Sequence, residues 1–207
     1  MKYFYDTEFL ENGATIELIS IGIVADDGRE YYAVNADMPV DMIKNHDWLS
    51  KNVWPNLPLR GRKESNGYAN SASAGNLDMS STLVKPKWVI ANEVREFLLT
   101  SAGVPELWAW YSAYDHVALA QLFGSMIRLP KGLPMYTHDL RAYIDYEPSN
   151  TLPVQKDGNH NALADARWVK EAYEYVTKAA AMEKAMADPE GQRLAAEAVA
   201  LAKSQRG

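Results

Sequence analysis

Two carboxylates lie close together near the start of the chain. Asp6 and Glu8 are two positions apart in a segment that otherwise has the composition of a buried strand, so both side chains project from the same face. Burying two like charges side by side is costly unless they are compensated. The pair therefore either lies at a solvent-exposed strand edge or binds cations, and the Asp-X-Glu pattern alone does not decide between the two.

A third carboxylate, Asp115, follows the apolar segment 106–111 and opens a predicted helix. The ends of strands in α/β sheets are where sites are usually built. The same position also suits a helix cap or a favourable charge at the helix dipole. Both interpretations stay open when this residue is considered by itself.

A fourth carboxylate, Asp165, lies five residues after His160. Five residues of α-helix turn through about 500°, so the two side chains would point about 140° apart if both were helical. If His160 instead precedes the helix, its ring can lie over the point where Asp165 emerges. The preceding loop Asp157-Gly158-Asn159 favours this second arrangement.

Four carboxylates on three elements, with one histidine beside the last, suit a pair of divalent cations. One cation would activate a water molecule, and the other would stabilise the departing oxygen of a phosphodiester. The chain has no cysteine, so carboxylates and histidine are the expected ligands, and oxygen ligands favour Mg²⁺, Mn²⁺ or Ca²⁺. His160 would take the proton from the water, because imidazole titrates near neutral pH.

The elements that must position these residues follow from the hydrophobic pattern. Runs rich in Ile, Val, Tyr and Phe at 2–10, 16–25 and 30–35, separated by turn signals, predict three antiparallel strands. Helical spacing or strand composition then predicts further elements in the order helix, strand, helix, strand, helix: 88–99, 106–111, 114–123, 134–136 and 161–176. The order βββαβαβα predicts the α/β class.

Two regions fall outside this pattern. Residues 57–87 are rich in Gly, Ser, Asn and Ala and are long for a connection, which predicts a mobile insertion. Their five basic and two acidic residues give a net charge of 5 − 2 = +3, which suits either a clamp on an anionic polymer or a solvated loop. Residues 179–207 are Ala-rich and predict a helical extension after a domain at 1–178.

The composition excludes several classes of protein. The 207 residues carry 27 acidic and 21 basic side chains, a net charge of −6, which argues against broad coating of nucleic acid but not against an acidic, metal-binding pocket. No stretch approaches the roughly 18 apolar residues of a membrane span. The first eight residues also lack the apolar run of a secretory signal, so we expect no membrane partner and a cytoplasmic location.

The chemistry-bearing residues match a known pattern in order. Asp6-Thr7-Glu8, Asp115 and His160 with Asp165 resemble the motifs of the DEDDh 3′-to-5′ exonucleases, a branch of the ribonuclease H-like superfamily. Within that group the sequence is most similar to the small polyadenylate-specific exoribonucleases of the RNase AS type. The resemblance covers residues 1–54 and 88–178 and is carried by these segments: Tyr3-Phe-Tyr-Asp-Thr-Glu-Phe9, Thr15-Ile-Glu-Leu-Ile-Ser-Ile-Gly22, Gly28-Arg-Glu-Tyr-Tyr-Ala-Val34, Leu107-Trp-Ala-Trp110 and Ala113-Tyr-Asp-His-Val-Ala-Leu119.

The resemblance implies a ribonuclease H-like mixed sheet, with three antiparallel N-terminal strands, two shorter strands and flanking helices. It implies two Mg²⁺ ions, replaceable by Mn²⁺, held by Asp6, Glu8, Asp115 and Asp165, with His160 as the general base. It further implies a homodimer that releases nucleoside 5′-monophosphates from the 3′ end of single-stranded RNA, with A-rich ends preferred. A 3′-to-5′ DNA exonuclease is the alternative, because the same carboxylates serve both sugars; a binding module without catalysis would be expected to lack one of these five residues.

Four further residues are candidates for substrate contact. Phe9 follows Glu8 directly, and stacking on an aromatic ring is a common way to hold a terminal base, although a place in the core suits it as well. Ser20 and Trp110 are open to the same two interpretations, and Thr7 lies between the two strand carboxylates. The other histidines, His46, His116 and His138, belong to no motif.

Overall fold

The computed structural model of the chain describes residues 1–60, 75–147, 152–194 and 197. The strands in these residues are β1 (Lys2–Glu11), β2 (Ile16–Ala25), β3 (Glu30–Asn35), β4 (Leu59–Arg60), β5 (Asn76–Leu77), β6 (Val84–Lys85), β7 (Glu106–Ala109) and β8 (His138–Asp139). The α-helices include α1 (Val40–Asn45), α2 (Leu49–Asn52), α3 (Lys87–Leu99), α4 (Ser112–Gln121), α5 (Leu140–Ile144) and α6 (Ala162–Ala187), and residues 189–194 are also helical. Single 3₁₀ turns lie at Trp54–Asn56 and Met126–Arg128.

Six of the strands form one mixed sheet in the order β6-β3-β2-β1-β7-β8. The predicted antiparallel meander is confirmed, because β1 pairs with β2 and β2 with β3 in antiparallel fashion. The outer strands are parallel to their neighbours: β7 to β1, β8 to β7 and β6 to β3. The α/β class is confirmed, and the mixed sheet with flanking helices is compatible with a ribonuclease H-like fold.

Several predicted elements need correction. The strand predicted at 134–136 is wrong: the strand is β8, whose His138 pairs with Trp108. Pro134 has no N–H to give to a ladder, and Tyr136 is 60% exposed. The strand predicted at 106–111 ends at Ala109, because Tyr111 adopts a left-handed backbone (φ 55°) directly before α4.

The two regions outside the predicted pattern are partly described. The ends of segment 57–87 have places in the fold: β4 pairs with β5, and β6 adds a sixth strand beside β3 that was not expected. The prediction of mobility falls mainly on 61–74, which lie outside the described residues. At the other end, α6 continues to Ala187, so the predicted helical extension begins as part of the same helix, while 195–196 and 198–207 are not described.

The sheet separates two apolar layers. Tyr3 and Tyr5 on one face of β1 are buried in a core with α3 and α4, whereas Phe4 on the other face is buried in a core with α5 and α6. Burying a side chain of this size contributes about 1.5–3 kcal/mol. A third cluster, around the fully buried Trp54, fixes α1, α2 and the following turn against the sheet. These short helices were not predicted.

A glycine sets how closely α6 approaches the sheet. Gly22 lies on β2 directly opposite Asp6, and a Cβ at this position would overlap backbone atoms of Ala162 and Leu163. The Asn161 side chain caps the helix by accepting the backbone N–H of Ala164 at 3.2 Å. The first turn of α6 therefore lies against the middle of β1 and β2.

None of the helices among the described residues is long and apolar enough to cross a bilayer.

Candidate active site

Three carboxylates converge where α6 begins. Asp6 and Glu8 share the face of β1 that also carries Phe4, which is the face covered by α6. Asp165 lies in the first turn of α6 and reaches them, so that ligand oxygens of the three residues lie within 4.8 Å of one another. The structure thus brings together three of the four predicted metal ligands in one group.

The fourth predicted ligand, Asp115, lies beside this group but not within it. It is in the first turn of α4, a helix that packs on the other face of β1, and it is 4% exposed. Its Oδ1 accepts two hydrogen bonds from Thr7, from the backbone N–H at 2.8 Å and from Oγ1 at 2.6 Å. The Thr7 side chain therefore orients Asp115.

Burial raises the pKa of all four carboxyl groups, and neighbouring carboxylates add to the shift of Asp6 and Glu8. Burial and the charges of neighbouring carboxylates raise the pKa of Glu8 to about 8 and hold that of Asp6 well above its ordinary value. Burial raises the pKa of Asp115 to about 6, although the hydrogen bonds from Thr7 oppose this shift. The pKa of Asp165 is also raised by burial. Ionising all four groups together therefore requires compensating positive charge.

This donor set fits divalent cations. Asp6, Glu8 and Asp165 offer carboxylate oxygens within a space that an ion could bridge, and oxygen donors are those that Mg²⁺ and Mn²⁺ prefer. The raised pKa values indicate that positive charge is what the site needs to become fully ionised. A cation bound here would meet that need.

His160 lies before the helix, which is the arrangement that the preceding loop 157–159 favours. Its backbone is left-handed (φ 64°), and Asn161 follows it as the N-cap of α6. His160 lines a cavity of about 440 Å³ together with Asp6 and Asp165. His160, Asp6 and Asp165 thus line one solvent-accessible cavity.

The same cavity is lined by residues that the sequence did not single out. Trp168 and Asn159 contribute to its wall, and Gln155 donates from Nε2 to Asp165 Oδ1 at 2.5 Å. The Gln155 amide thereby fixes the orientation of that carboxylate. No sequence signal marked Gln155, because a loop glutamine has no characteristic spacing to its partner.

The four candidates for substrate contact have different surroundings. Trp110 lines the cavity with Asp6 and packs edge to face on Trp168 at 5.1 Å. Phe9 is half-buried, and its ring stacks on Tyr114 at 5.9 Å. Ser20 is 1% exposed and lies opposite Glu8 on β2, while the Thr7 hydroxyl is engaged with Asp115.

The other three histidines make contacts within the fold. His46 Nδ1 accepts the backbone N–H of Leu49 at 3.2 Å, and His138 stacks on the indole of Trp108. His116 Nδ1 lies 3.0 Å from Thr137 Oγ1, and burial lowers the pKa of this histidine.

Comparison with known proteins gives a consistent result. Residues 1–177 match a domain family described as the 3'-5' exoribonuclease Rv2179c-like domain. Two curated relatives, 3'-5' exoribonuclease Rv2179c from Mycobacterium tuberculosis strain H37Rv and 3'-5' exoribonuclease MT2234.1 from strain CDC 1551, are each 41% identical over 168 residues. The aligned region covers 81% of this chain and 88% of each relative.

Proposed function

Because this chain belongs to the 3'-5' exoribonuclease Rv2179c-like family and is a 3′-to-5′ exoribonuclease, we propose that it hydrolyses RNA by a two-metal mechanism of the DEDDh type. The observation that carries this proposal is the group of Asp6, Glu8 and Asp165, with oxygens within 4.8 Å of one another, of which Asp6 and Asp165 line a cavity together with His160. The order of the motif residues along the chain supports the same assignment.

Asp6, Glu8 and Asp165 would hold the ions, with Asp115 completing the set from the other face of β1. Bound Mg²⁺ or Mn²⁺ ions supply Lewis-acid activation of the attacking water and stabilise the charge of the leaving oxygen. Gln155 keeps Asp165 in one orientation, and Thr7 does the same for Asp115.

His160 is the general base of this proposal. Its ring borders the cavity that Asp6 and Asp165 also line, and a neutral imidazole can accept the proton that the attacking water loses. His160→Ala should lower kcat by about 10²–10⁴ while leaving Mg²⁺ affinity, measured by calorimetry, close to that of the wild type. Asp165→Asn should damage both, and a His160→Ala enzyme with full kcat would contradict the assignment.

The substrate of the proposal is the 3′ end of single-stranded RNA, with A-rich ends preferred and nucleoside 5′-monophosphates released. Trp110 is in a position to contact a terminal nucleotide, since it lines the cavity beside Asp6. Phe9, Ser20 and Thr7 remain candidates for substrate contact. A homodimeric assembly and a cytoplasmic location are also predictions, as are the boundaries 1–178, 57–87 and 179–207.

A direct test compares labelled poly(A), poly(U) and single-stranded DNA, each with Mg²⁺, with Mn²⁺ and with excess chelator. We expect ladders of 3′-shortened RNA, fastest on poly(A), and no product with chelator or with a 3′-phosphate on the substrate. Cleavage of a circular RNA or hydrolysis in chelator would contradict the proposal. Equal rates on poly(A) and poly(U) would remove only the base preference, and faster hydrolysis of DNA would favour the alternative.

A further inference from the structure

We infer that Trp48 and Asn56 are positioning residues that hold His160 in its working orientation. This inference rests on the proposed function, in which His160 accepts the proton of the attacking water. The two residues lie at either end of the segment that contains α2 and the following 3₁₀ turn, and both contact the loop before α6. We call this pair the His160 bracket.

The backbone of His160 is in a conformation that must be held in place. A left-handed conformation costs a residue with a side chain about 1–2 kcal/mol, and such conformations persist where the surroundings over-determine them. Among the described residues only Tyr111 and His160 are non-glycine residues with positive φ. His160 lines the cavity with Asp6 and Asp165, and Tyr111 directly follows Trp110, which lines the same cavity.

Asn56 makes hydrogen bonds to the backbone at this position. Its side-chain nitrogen Nδ2 donates to the carbonyl oxygens of Asn159 and His160, at 3.1 Å each, and therefore fixes consecutive peptide groups. The same nitrogen lies 2.8 Å from the carbonyl of Asn52, which ties the amide to α2. The side chain thus joins two parts of the chain that are more than 100 residues apart.

Trp48 supports the imidazole ring itself. The indole and the ring of His160 pack edge to face, with centroids 4.7 Å apart and an interplanar angle of 77°. Aromatic contacts of this geometry contribute about 0.5–1.5 kcal/mol beyond burial. Trp48 therefore restricts movement of the imidazole ring on one side, while His160 also lines the cavity with Asp6 and Asp165.

The bracket is itself anchored in the core. Leu49, Val53 and Trp54, which lie between Trp48 and Asn56, are 4%, 0% and 0% exposed. They pack against β1, β2 and β3 through the apolar cluster that contains Leu10 and Ile19. Movement of the bracket would require repacking of these side chains, so it provides a fixed support for a loop residue.

The contacts of the bracket add little to the stability of the whole fold. Asn56 is exposed and Trp48 is 47% exposed, and one hydrogen bond contributes only about 0.5–1.5 kcal/mol net. A small displacement of a catalytic group, in contrast, costs up to about 100-fold in rate. The bracket should therefore affect kcat far more than the unfolding temperature.

The test uses substitutions with matched controls. Asn56→Asp keeps the shape but removes the donor, and Asn56→Ala removes the whole amide; Trp48→Leu removes the aromatic ring, and Trp48→Phe keeps one. Asn92→Ala is the control, because Asn92 also donates an exposed side-chain amide to the carbonyl four residues earlier, on α3. We expect Asn56→Asp, Asn56→Ala and Trp48→Leu to lower kcat about 10- to 100-fold, with KM, Mg²⁺ affinity and Tm near wild type. Trp48→Phe should retain most of the rate, and Asn92→Ala all of it.

A second substitution separates positioning from other effects. In a His160→Ala background, Asn56→Ala should cause no further loss of kcat, because the group that it positions is gone. Additive losses would overturn the inference.

A readout without turnover separates this inference from the proposed function. The His160 ring signals in ¹H–¹⁵N NMR spectra should shift and broaden in Asn56→Ala and Trp48→Leu, but not in Asn92→Ala. Unchanged ring signals would overturn the bracket, whatever the activity of the variants. Altered ring signals with full kcat would establish the bracket as a structural contact and overturn both its catalytic role and the assignment of His160 as base.

Discussion

At the scale of single residues, burial opposes the ionisation of all four carboxyl groups, and neighbouring carboxylates also oppose that of Asp6 and Glu8. Glu8 has a pKa of about 8 mainly because it is buried, and next because the charges of Asp165 and Asp115 are close. The site therefore stores an electrostatic penalty that cation binding would remove. Substitutions of these carboxylates should therefore change both the stability of the metal-free protein and its activity.

The first prediction concerns Asp6→Asn. The substitution replaces a carboxyl group whose ionisation is opposed by burial and by neighbouring carboxylates with an uncharged amide of nearly the same shape, so the metal-free protein should be at least as stable as the wild type. Exonuclease activity should be lost, because the proposed metal site loses a ligand. Thermal unfolding in EDTA and hydrolysis of poly(A) with Mg²⁺ measure the two effects, and unimpaired hydrolysis would refute the two-metal mechanism.

The second prediction concerns pH and Glu8. Its pKa is about 8 in the folded protein against an ordinary value of 4.5, so the folded state keeps a proton that the unfolded state releases. This contribution to stability is fully present below pH 4.5 and is lost as the pH rises to about 8. In EDTA, the urea midpoint of the wild type should therefore fall from pH 5 to pH 8, and Glu8→Gln should reduce that fall.

Glu171→Gln, at an exposed position of α6, is the control for this measurement and should leave the pH dependence unchanged. A Glu8→Gln protein that loses as much stability as the wild type between pH 5 and pH 8 would show that Glu8 ionises in the folded state as easily as in the unfolded chain.

The site residues that could be predicted from the sequence are those with a regular spacing along the chain. The pairing of Asp6 with Glu8 follows from the period of a strand, and the place of His160 before the helix follows from the period of a helix. Gln155, Trp48 and Asn56 could not be found in this way. The last two meet His160 across more than 100 residues of chain, and no local pattern encodes such a contact.

At the scale of elements, the site depends on how closely α6 approaches the sheet. Strands β1–β3 and helices α3, α4 and α6 were predicted because each has a clear hydrophobic period over ten or more residues, or a turn signal at its end. The short strands β6 and β8 and the helices α1 and α2 have six residues or fewer. Elements this short carry too little periodicity to be predicted from sequence, and their stability comes from pairing and packing with the rest of the fold.

The third prediction concerns Gly22→Ala. A methyl group here would overlap the backbone of Ala162 and Leu163, so α6 must move away from β2, and overpacking of this kind costs about 1–3 kcal/mol. Because α6 carries Asp165, we expect weaker Mg²⁺ binding and a lower kcat even at temperatures where the variant is fully folded.

Leu98→Ala is the matched control for this prediction. It removes a buried side chain of α3, on the other face of the sheet, and should lower Tm by a comparable or larger amount while leaving Mg²⁺ affinity intact. Equal metal affinity in Gly22→Ala and the wild type would show that the helix can shift without moving Asp165.

At the scale of the whole molecule, an acidic protein acts on a polyanion. The net charge of −6 disfavours long contact with RNA, and it suits an enzyme that engages one terminus at a metal site. The segment 57–87 is the exception, with a sequence charge of +3. Much of that positive charge is neutralised within the fold, because three of the basic residues have acidic partners: Arg60 with Asp78, Lys85 with Glu93, and Lys87 with Glu17.

The last prediction tests whether this segment binds RNA. Arg62 and Lys63 are its two remaining basic residues, and Glu64 beside them leaves a surplus of 2 − 1 = +1. Single-stranded RNA releases about 0.7 counterions per neutralised phosphate. A clamp that used both residues would therefore contribute about 1.4 to the slope of log affinity against log salt concentration, which we call the salt slope. Since only one net charge remains, we expect replacement of both residues with serine to change the slope for long poly(A) by less than about 0.7.

The slope is measured from KM between 50 and 200 mM salt, with Arg128→Ser/Lys131→Ser as an exposed basic control pair. A decrease near 1.4 that is confined to long substrates would instead establish the clamp, because short oligonucleotides held at the metal site would not reach a second contact.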